Sequence, residues 1–283
     1  MIEYKNIKHK KPPLPFLGCK KDWLKMLYKH VTGNENRQHP EIIVDVFGGS
    51  GLLANFYKQL YPKAQVIWND YDNYQNRLNQ LPQTNNILRQ LREYVAKHTP
   101  EELYSRDTLY TSKPRFTDEH CEAIKGILES NPGYDWRTIL PTISFRGSVK
   151  TSAYNKIYNA IPKKDYNASG YLDNVQIVRQ DGLDLIEKYD KKEKVLFLLD
   201  PAYPGTYDWN YRGRGSTYLA LKIIEFCYKT NNNFILFSST NSTMGQIVRF
   251  YEKERKRPFY DSILLKQSKR GLTKYHEYAF VKE

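Results

Sequence analysis

Leu198-Leu199-Asp200-Pro201-Ala202-Tyr203 brings a carboxylate, a rigid carbonyl and an aromatic ring together within one short segment. It ends the wholly apolar run Val195–Leu199, which predicts a buried strand. Asp200 therefore emerges at a strand's carboxyl end, where open α/β sheets bind ligands. This set suits chemistry at an aromatic amine. The lone pair of such an amine is delocalised into its ring and is drawn out by acceptors placed on its hydrogens. The Asp200 side chain and the Pro201 carbonyl can serve as those acceptors. Proline fixes φ and has no N–H, which makes a stiff platform. Tyr203 adds a flat face on which an extruded base can stack, worth about 1–3 kcal/mol. In isolation, Asp-Pro is equally the signature of a plain turn.

A second candidate site is Asp45-Val46-Phe47-Gly48-Gly49-Ser50-Gly51. Glycine lacks a Cβ and tolerates φ > 0, so backbone here can approach a ligand closely. The N–H groups of a following helix suit a carboxylate or phosphate. A generic tight turn reads the same way, and the spacing is not that of a dinucleotide fingerprint. Asp70 ends the next apolar run, placed either to bind a ribose diol or, like Asp72, to cap a helix.

Positioning these groups requires a particular succession of elements. Ile42–Phe47 reads as a buried strand, Leu52–Leu60 as a helix and Gln65–Trp68 as a second strand, a βαβ opening. Apolar spacing over Lys20–Val31 predicts a helix before it. Strands resume at Val175–Val178, Val195–Leu199, Phe234–Phe237, Ile263–Lys266 and Tyr278–Val281. Between them, from about Asn76 to Tyr166, helical segments such as Asn85–Lys97 and Thr117–Glu129 alternate with basic, turn-rich stretches. The pattern predicts an α/β domain over 1–75 and 169–283, interrupted by an inserted helical lobe over 76–168.

The chain of 283 residues carries 44 Lys and Arg against 31 Asp and Glu, a net charge of +13. An excess of this size favours a polyanionic partner, because each neutralised phosphate releases counterions. Three cysteines without paired spacing argue against a disulfide framework or a zinc site and fit a cytoplasmic protein. No apolar run suggests a signal peptide or a membrane span. The expectation is a monomer with no membrane partner and no metal.

In this order the motifs resemble the Dam-like amino-methyltransferases that modify adenine in DNA. Pro15-Phe16-Leu17-Gly18-Cys19-Lys20 is similar to that family's N-terminal motif, an aromatic followed by Gly-Gly-Lys or Gly-Asn-Lys. Asp45–Gly51 resembles its cofactor loop, Asn69-Asp70 its ribose-binding acid and Gln180-Asp181-Gly182 the segment that reads the cofactor's adenine. Asp200-Pro201-Ala202-Tyr203 falls where the family has Asp-Pro-Pro-Tyr, and Phe234–Asn241 and Glu277–Lys282 are similar to its later strands. The resemblance implies a Rossmann-like seven-stranded methyltransferase sheet with an inserted helical target-recognition lobe. It also implies S-adenosyl-L-methionine as cofactor. The cofactor-binding residues would be Phe16, Gly18, Lys20, Asp45, Phe47, Gly49, Ser50, Gly51, Asp70, Asp181 and Asp200, with Asp200, Pro201 and Tyr203 catalytic. Ala202 departs from the second proline, which removes stiffness without removing any of the three catalytic groups.

Double-stranded DNA is the partner implied, with adenine flipped out because its amine is inaccessible inside the stack. The family's target-domain signature is partly visible in Phe145-Arg146-Gly147 and Ser152-Ala153-Tyr154-Asn155-Lys156. Arg146, Lys150, Asn155 and Lys156 are the candidate DNA contacts there, and Arg212 and Arg214 in a glycine-rich loop after the catalytic motif are two more. Any one of these charges could equally be solvated. The basic run Lys253–Arg257 reads as a helix end. Two rival readings are a related enzyme acting on RNA or a glutamine amide, and a catalytically silent DNA-binding protein of the same fold.

Overall fold

A computed structural model of the chain describes residues 2–33, 38–98, 118–143, 161–205, 207–208, 213–214, 216–270 and 273–283. The chain divides into two compact units. One holds Met1–Pro12, Phe16–Tyr74 and Gly170–Glu283, the other Pro13–Pro15 and Gln75–Ser169.

The first unit is built on a seven-stranded, mostly parallel sheet. Its strands are β1 (Ile42–Asp45), β2 (Gln65–Asn69), β3 (Gln176–Val178), β4 (Val195–Leu199), β7 (Asn233–Ser239), β8 (Ser262–Arg270) and β9 (Thr273–Lys282), in the order β3-β2-β1-β4-β7-β9-β8. Two short strands, β5 (Tyr207–Asp208) and β6 (Gly213–Arg214), pair antiparallel outside it. Pairing is parallel from β3 to β7 and antiparallel at β9 and β8. This is the α/β arrangement expected from the alternation of apolar runs with helices, in the Rossmann-like seven-stranded form that the family resemblance implies.

Runs such as Val-Leu-Phe-Leu-Leu in β4 form strands because both faces of a parallel sheet are covered. On one face Val44, Val46, Phe197, Leu199, Phe234, Leu236 and Phe280 pack against helices α7 (Gly182–Asp190), α8 (Thr217–Lys229) and α9 (Met244–Arg255). On the other, Trp23 sets its ring edge-on against Phe237 with centroids 5.3 Å apart. There the expected helix over Lys20–Val31 starts later: a 3₁₀ turn at Lys21–Trp23 leads into α1 (Leu24–Thr32), which buries Leu24, Leu27 and Val31. Helix α2 (Leu52–Leu60) covers β1 and β2. The basic run at the end of α9 is exposed, as its composition suggests.

In the second unit Ile87, Leu88 and Leu91 of α4 (Leu81–His98), Ile124 and Leu128 of α5 (Asp118–Glu129), Ile139 of α6 (Trp136–Ile143) and Ile161 form a core of their own. Its polar centre is an ion pair. The Arg77 Nε lies 3.1 Å from both Asp135 oxygens, and its Nη2 donates to Thr138 Oγ1 and to the Pro15 carbonyl. Arg77 belongs to α3 (Tyr74–Asn79), the helix that carries the chain out of the first unit. Among the described residues no helix is long and apolar enough to cross a membrane. None of the described His, Cys, Asp or Glu residues gather in a group of three or more that could hold a metal.

Candidate active site

The strand order reverses direction between β1 and β4: the chain builds outward through β2 and β3 on one side and through β7 on the other. Such a switch point leaves a crevice at the carboxyl edge of the sheet. Two of the acids singled out in the sequence, Asp45 and Asp200, lie there. Asp45 pairs in register with Leu198, and Asp200 follows two residues later, just past the end of the adjacent strand β4. Both carboxylates line one crevice.

The loop between β1 and α2 is shaped by its glycines. A Cβ on Gly48 would sit 2.2 Å from Trp68 Cδ1, so only glycine lets the loop lie down on that buried indole. Gly51, at φ +76°, is the left-handed N-cap of α2. The resulting crevice is lined by Phe16, Leu17, Gly18, Cys19, Lys20, Asp45, Phe47, Gly48, Gly49 and Ser50 on one side and by Asp200, Pro201, Ala202 and Tyr203 on the other.

Two carboxylates in this crevice have opposite surroundings. Asp200 is fully engaged: Lys20 Nζ pairs with its Oδ2, and the Tyr203 hydroxyl donates to Oδ1 at 2.9 Å. The Lys20 ammonium also sits 5.6 Å from the Tyr203 ring centroid and 5.4 Å from that of Phe237. Burial pushes the Tyr203 hydroxyl well above its ordinary pKa, and the neighbouring Asp200 charge adds to this, so it stays a donor. Asp45 is fully buried, and its Oδ2 accepts from the Ala54 N–H at 3.1 Å. Its Oδ1 accepts no hydrogen bond among the described residues. Burial raises the Asp45 pKa to about 7, with Asp200 adding to the rise and the Ala54 N–H and Lys20 opposing it. A buried carboxylate with an unmet acceptor is costly unless a donor reaches it. The crevice thus presents a hydrogen-bonded acid and a waiting acid side by side.

No family model matches the chain. A protein of Haemophilus influenzae named "Putative methyltransferase" is 32% identical to it over 269 residues, covering 90% of this chain and 86% of that protein. The chain belongs to that methyltransferase family.

Of the residues this methyltransferase was expected to use at its cofactor site, Phe16, Gly18, Lys20, Asp45, Phe47, Gly49, Ser50 and Asp200 line the crevice, as do Pro201 and Tyr203. Gly51, Asp70 and Asp181 do not line it. Asp70 is buried, and its Oδ1 accepts from the Tyr74 N–H at 2.5 Å, at the start of α3. Asp181 is an exposed N-cap whose side chain accepts from Leu183 N–H at 2.7 Å. Asn69 instead ties the strand ends together, donating to the Val46 and Gln180 carbonyls.

Arg146, Lys150, Asn155, Lys156 and Arg212 lie outside the described residues, and of Arg214 only the backbone, in β6, is described. Among other basic residues of the inserted unit, Arg89 and Arg92 both pair with Asp165. Sequence reasoning missed the Ala54 N–H and Phe237. It also took Lys266 and Glu277 for strand residues only, although both line a cavity beside the crevice. The register that brings Phe237 under Lys20 leaves no local mark in the sequence.

Proposed function

We propose that this methyltransferase transfers a methyl group from S-adenosyl-L-methionine to the exocyclic amine of adenine flipped out of double-stranded DNA. The observation that carries the reading is the unequal pair of acids at the switch point. Asp45 holds an unmet acceptor where an ammonium would be welcome, and Asp200 is fixed by Lys20 and Tyr203 where a second substrate could meet it.

The residues fit the cofactor: the Asp45 Oδ1 can accept from its α-ammonium, while the bare backbone of Gly48 and Gly49 and the Phe16 and Phe47 rings offer close apolar walls. When bound, that group supplies an electrophilic methyl on a sulfonium. The protein's own part is to accept and to orient. Asp200 accepts from an N–H of the amine, and the Pro201 carbonyl can take the other, raising the lone pair's availability. The amine must compete with Lys20 for Asp200, and the Tyr203 hydroxyl keeps the carboxylate turned toward the crevice. Rate enhancement of this kind comes from positioning and preorganised polar groups. The net charge of +13 and the motif order support DNA as the acceptor.

Calorimetry with S-adenosylhomocysteine and methylation of unmethylated DNA test the reading together. Wild type should bind and turn over, and Asp200→Ala should abolish transfer while binding remains within a few-fold. Absence of binding by wild type would remove the cofactor assignment. Methylation of RNA or a protein amide, with none of DNA, would move the acceptor.

A further inference from the structure

A second cavity, of about 450 Å³, adjoins the crevice. The two share Gly18, Cys19, Lys20 and Tyr203 as a common wall. Its far side is the β8–β9 hairpin, which contributes Lys266, Gln267, Ser268, Tyr275 and Glu277.

Three of these hairpin side chains form one hydrogen-bonded unit. Lys266 Nζ donates to Glu277 Oε2 at 2.8 Å and to Ser268 Oγ at 3.1 Å, and Ser268 Oγ donates to the same Glu277 oxygen at 2.7 Å. Their alignment follows from register: Lys266 pairs with Glu277 across the ladder, and Ser268 stands two residues along on the same face. Burial pushes the Glu277 pKa up, but the Lys266 and Ser268 hydrogen bonds and the Lys20 charge outweigh it and hold the group below its ordinary value. Glu277 therefore stays ionised at neutral pH. Its charge is also felt at Tyr203, so the unit sits close to the partition between the two compartments.

Direct group transfer between two bound substrates needs the reacting atoms about 3–3.5 Å apart, so their sites must adjoin and open into one another. The crevice and this cavity adjoin at Lys20 and Tyr203, the two residues that hold the crevice's Asp200. Their linings differ in a telling way. The crevice has bare backbone and a waiting acid, suited to the cofactor. The cavity has an aromatic wall together with a fixed cation, hydroxyl and carboxylate, suited to a flat ring that carries donors and acceptors on its edge. A purine is such a ring.

Building on the function proposed above, we infer that the second cavity is the acceptor subsite. Lys266, Ser268 and Glu277 hold the acceptor purine by polar atoms away from the reacting amine, while the amine faces Asp200. They are positioning residues, since none lies among the residues lining the crevice.

The inference is tested by saturation-transfer NMR with adenosine on protein loaded with S-adenosylhomocysteine, alongside calorimetry of the homocysteine compound itself. Wild type should transfer saturation to the purine protons. Lys266→Met and Glu277→Gln should lose at least three-quarters of that signal with cofactor-side affinity within twofold, and Lys266→Arg should retain it. In steady-state methylation the two losing variants should lower kcat/KM for DNA roughly tenfold or more. Ser268→Ala, a small change that spares the fold, should weaken both readouts several-fold. An adenosine signal absent in wild type, or equal in all variants, overturns the inference, as does an equal loss of cofactor-side affinity. An intact, variant-sensitive adenosine signal without methylation of DNA would overturn the proposed function and leave the subsite standing.

Discussion

Replacing Asp45 by asparagine separates the energetic cost of the waiting acid from its use. Asp45 is fully buried, and its pKa rises from 3.8 to about 7. The folded protein therefore holds a proton on Asp45 over a pH range in which the unfolded chain has released it. Stability associated with the group is fully present below pH 3.8 and is lost as pH rises through about 7. At 1.36 kcal/mol for each pH unit of that interval, the loss amounts to about 4 kcal/mol. Asparagine keeps the size of the side chain, an oxygen for the Ala54 N–H and no charge. The stability of Asp45→Asn relative to wild type should therefore increase by roughly 2.5 kcal/mol between about pH 5 and pH 8. Urea unfolding of both proteins across that range measures it. In the same pair, S-adenosylhomocysteine affinity should fall towards low pH in wild type as Asp45 becomes protonated, by up to about tenfold per pH unit. The variant should bind weakly with little pH dependence. A stability difference that stays flat, or shrinks as pH rises, would refute the account of Asp45 as a desolvated acid.

Three further outcomes are expected. Arg77→Met strips the partner from buried Asp135 and should destabilise the inserted unit by about 3–5 kcal/mol in thermal or urea unfolding, whereas Glu187→Ala, in an exposed pair with Lys191, should leave the midpoint unchanged. Ala202→Pro should alter the methylation rate by about tenfold or less, because Asp200, the Pro201 carbonyl and Tyr203 supply the chemistry; an inactive wild type rescued by proline would favour the silent-binder reading. Duplex DNA affinity should fall steeply between low and physiological salt, as the net charge of +13 demands, and a flat titration would argue against phosphate contacts.

The parts of the fold that could be read in advance were those whose cause is local. Strands buried on both faces leave apolar runs, so Val195–Leu199, and Ile42–Phe47 with Asp45 alone interrupting it, announce themselves, and a carboxylate ending such a run, as Asp200 does, stands out. Asp181 before Gly182 and Leu183 also carries a local N-cap signal, and its side chain caps α7 through the Leu183 N–H. Contacts made by topology left no such trace. Lys20 meets Asp200 across 180 positions of chain, and the Arg77–Asp135 pair forms only once α3 and the turn before α6 are folded together. The hairpin unit is an intermediate case. Lys266, Ser268 and Glu277 can be placed on strands from sequence, but their common face depends on the antiparallel register of β8 against β9.

Among the described residues, the last strand of the sheet in chain order is an interior one. β9, ending at Lys282, lies between β7 and β8, and its pairing with β7 covers Phe234 through Ser239. Until that segment has been synthesised and has docked, β7 is an open edge displaying Asn-Phe-Ile-Leu-Phe-Ser-Ser, the kind of long apolar edge that recruits other chains. Completion of the sheet must therefore wait until β9 has been synthesised, and a nascent chain that stops short of it is most at risk of aggregation at this edge. Glu277 belongs to the same strand, so the wall of the second cavity is among the last parts of the sheet to be assembled.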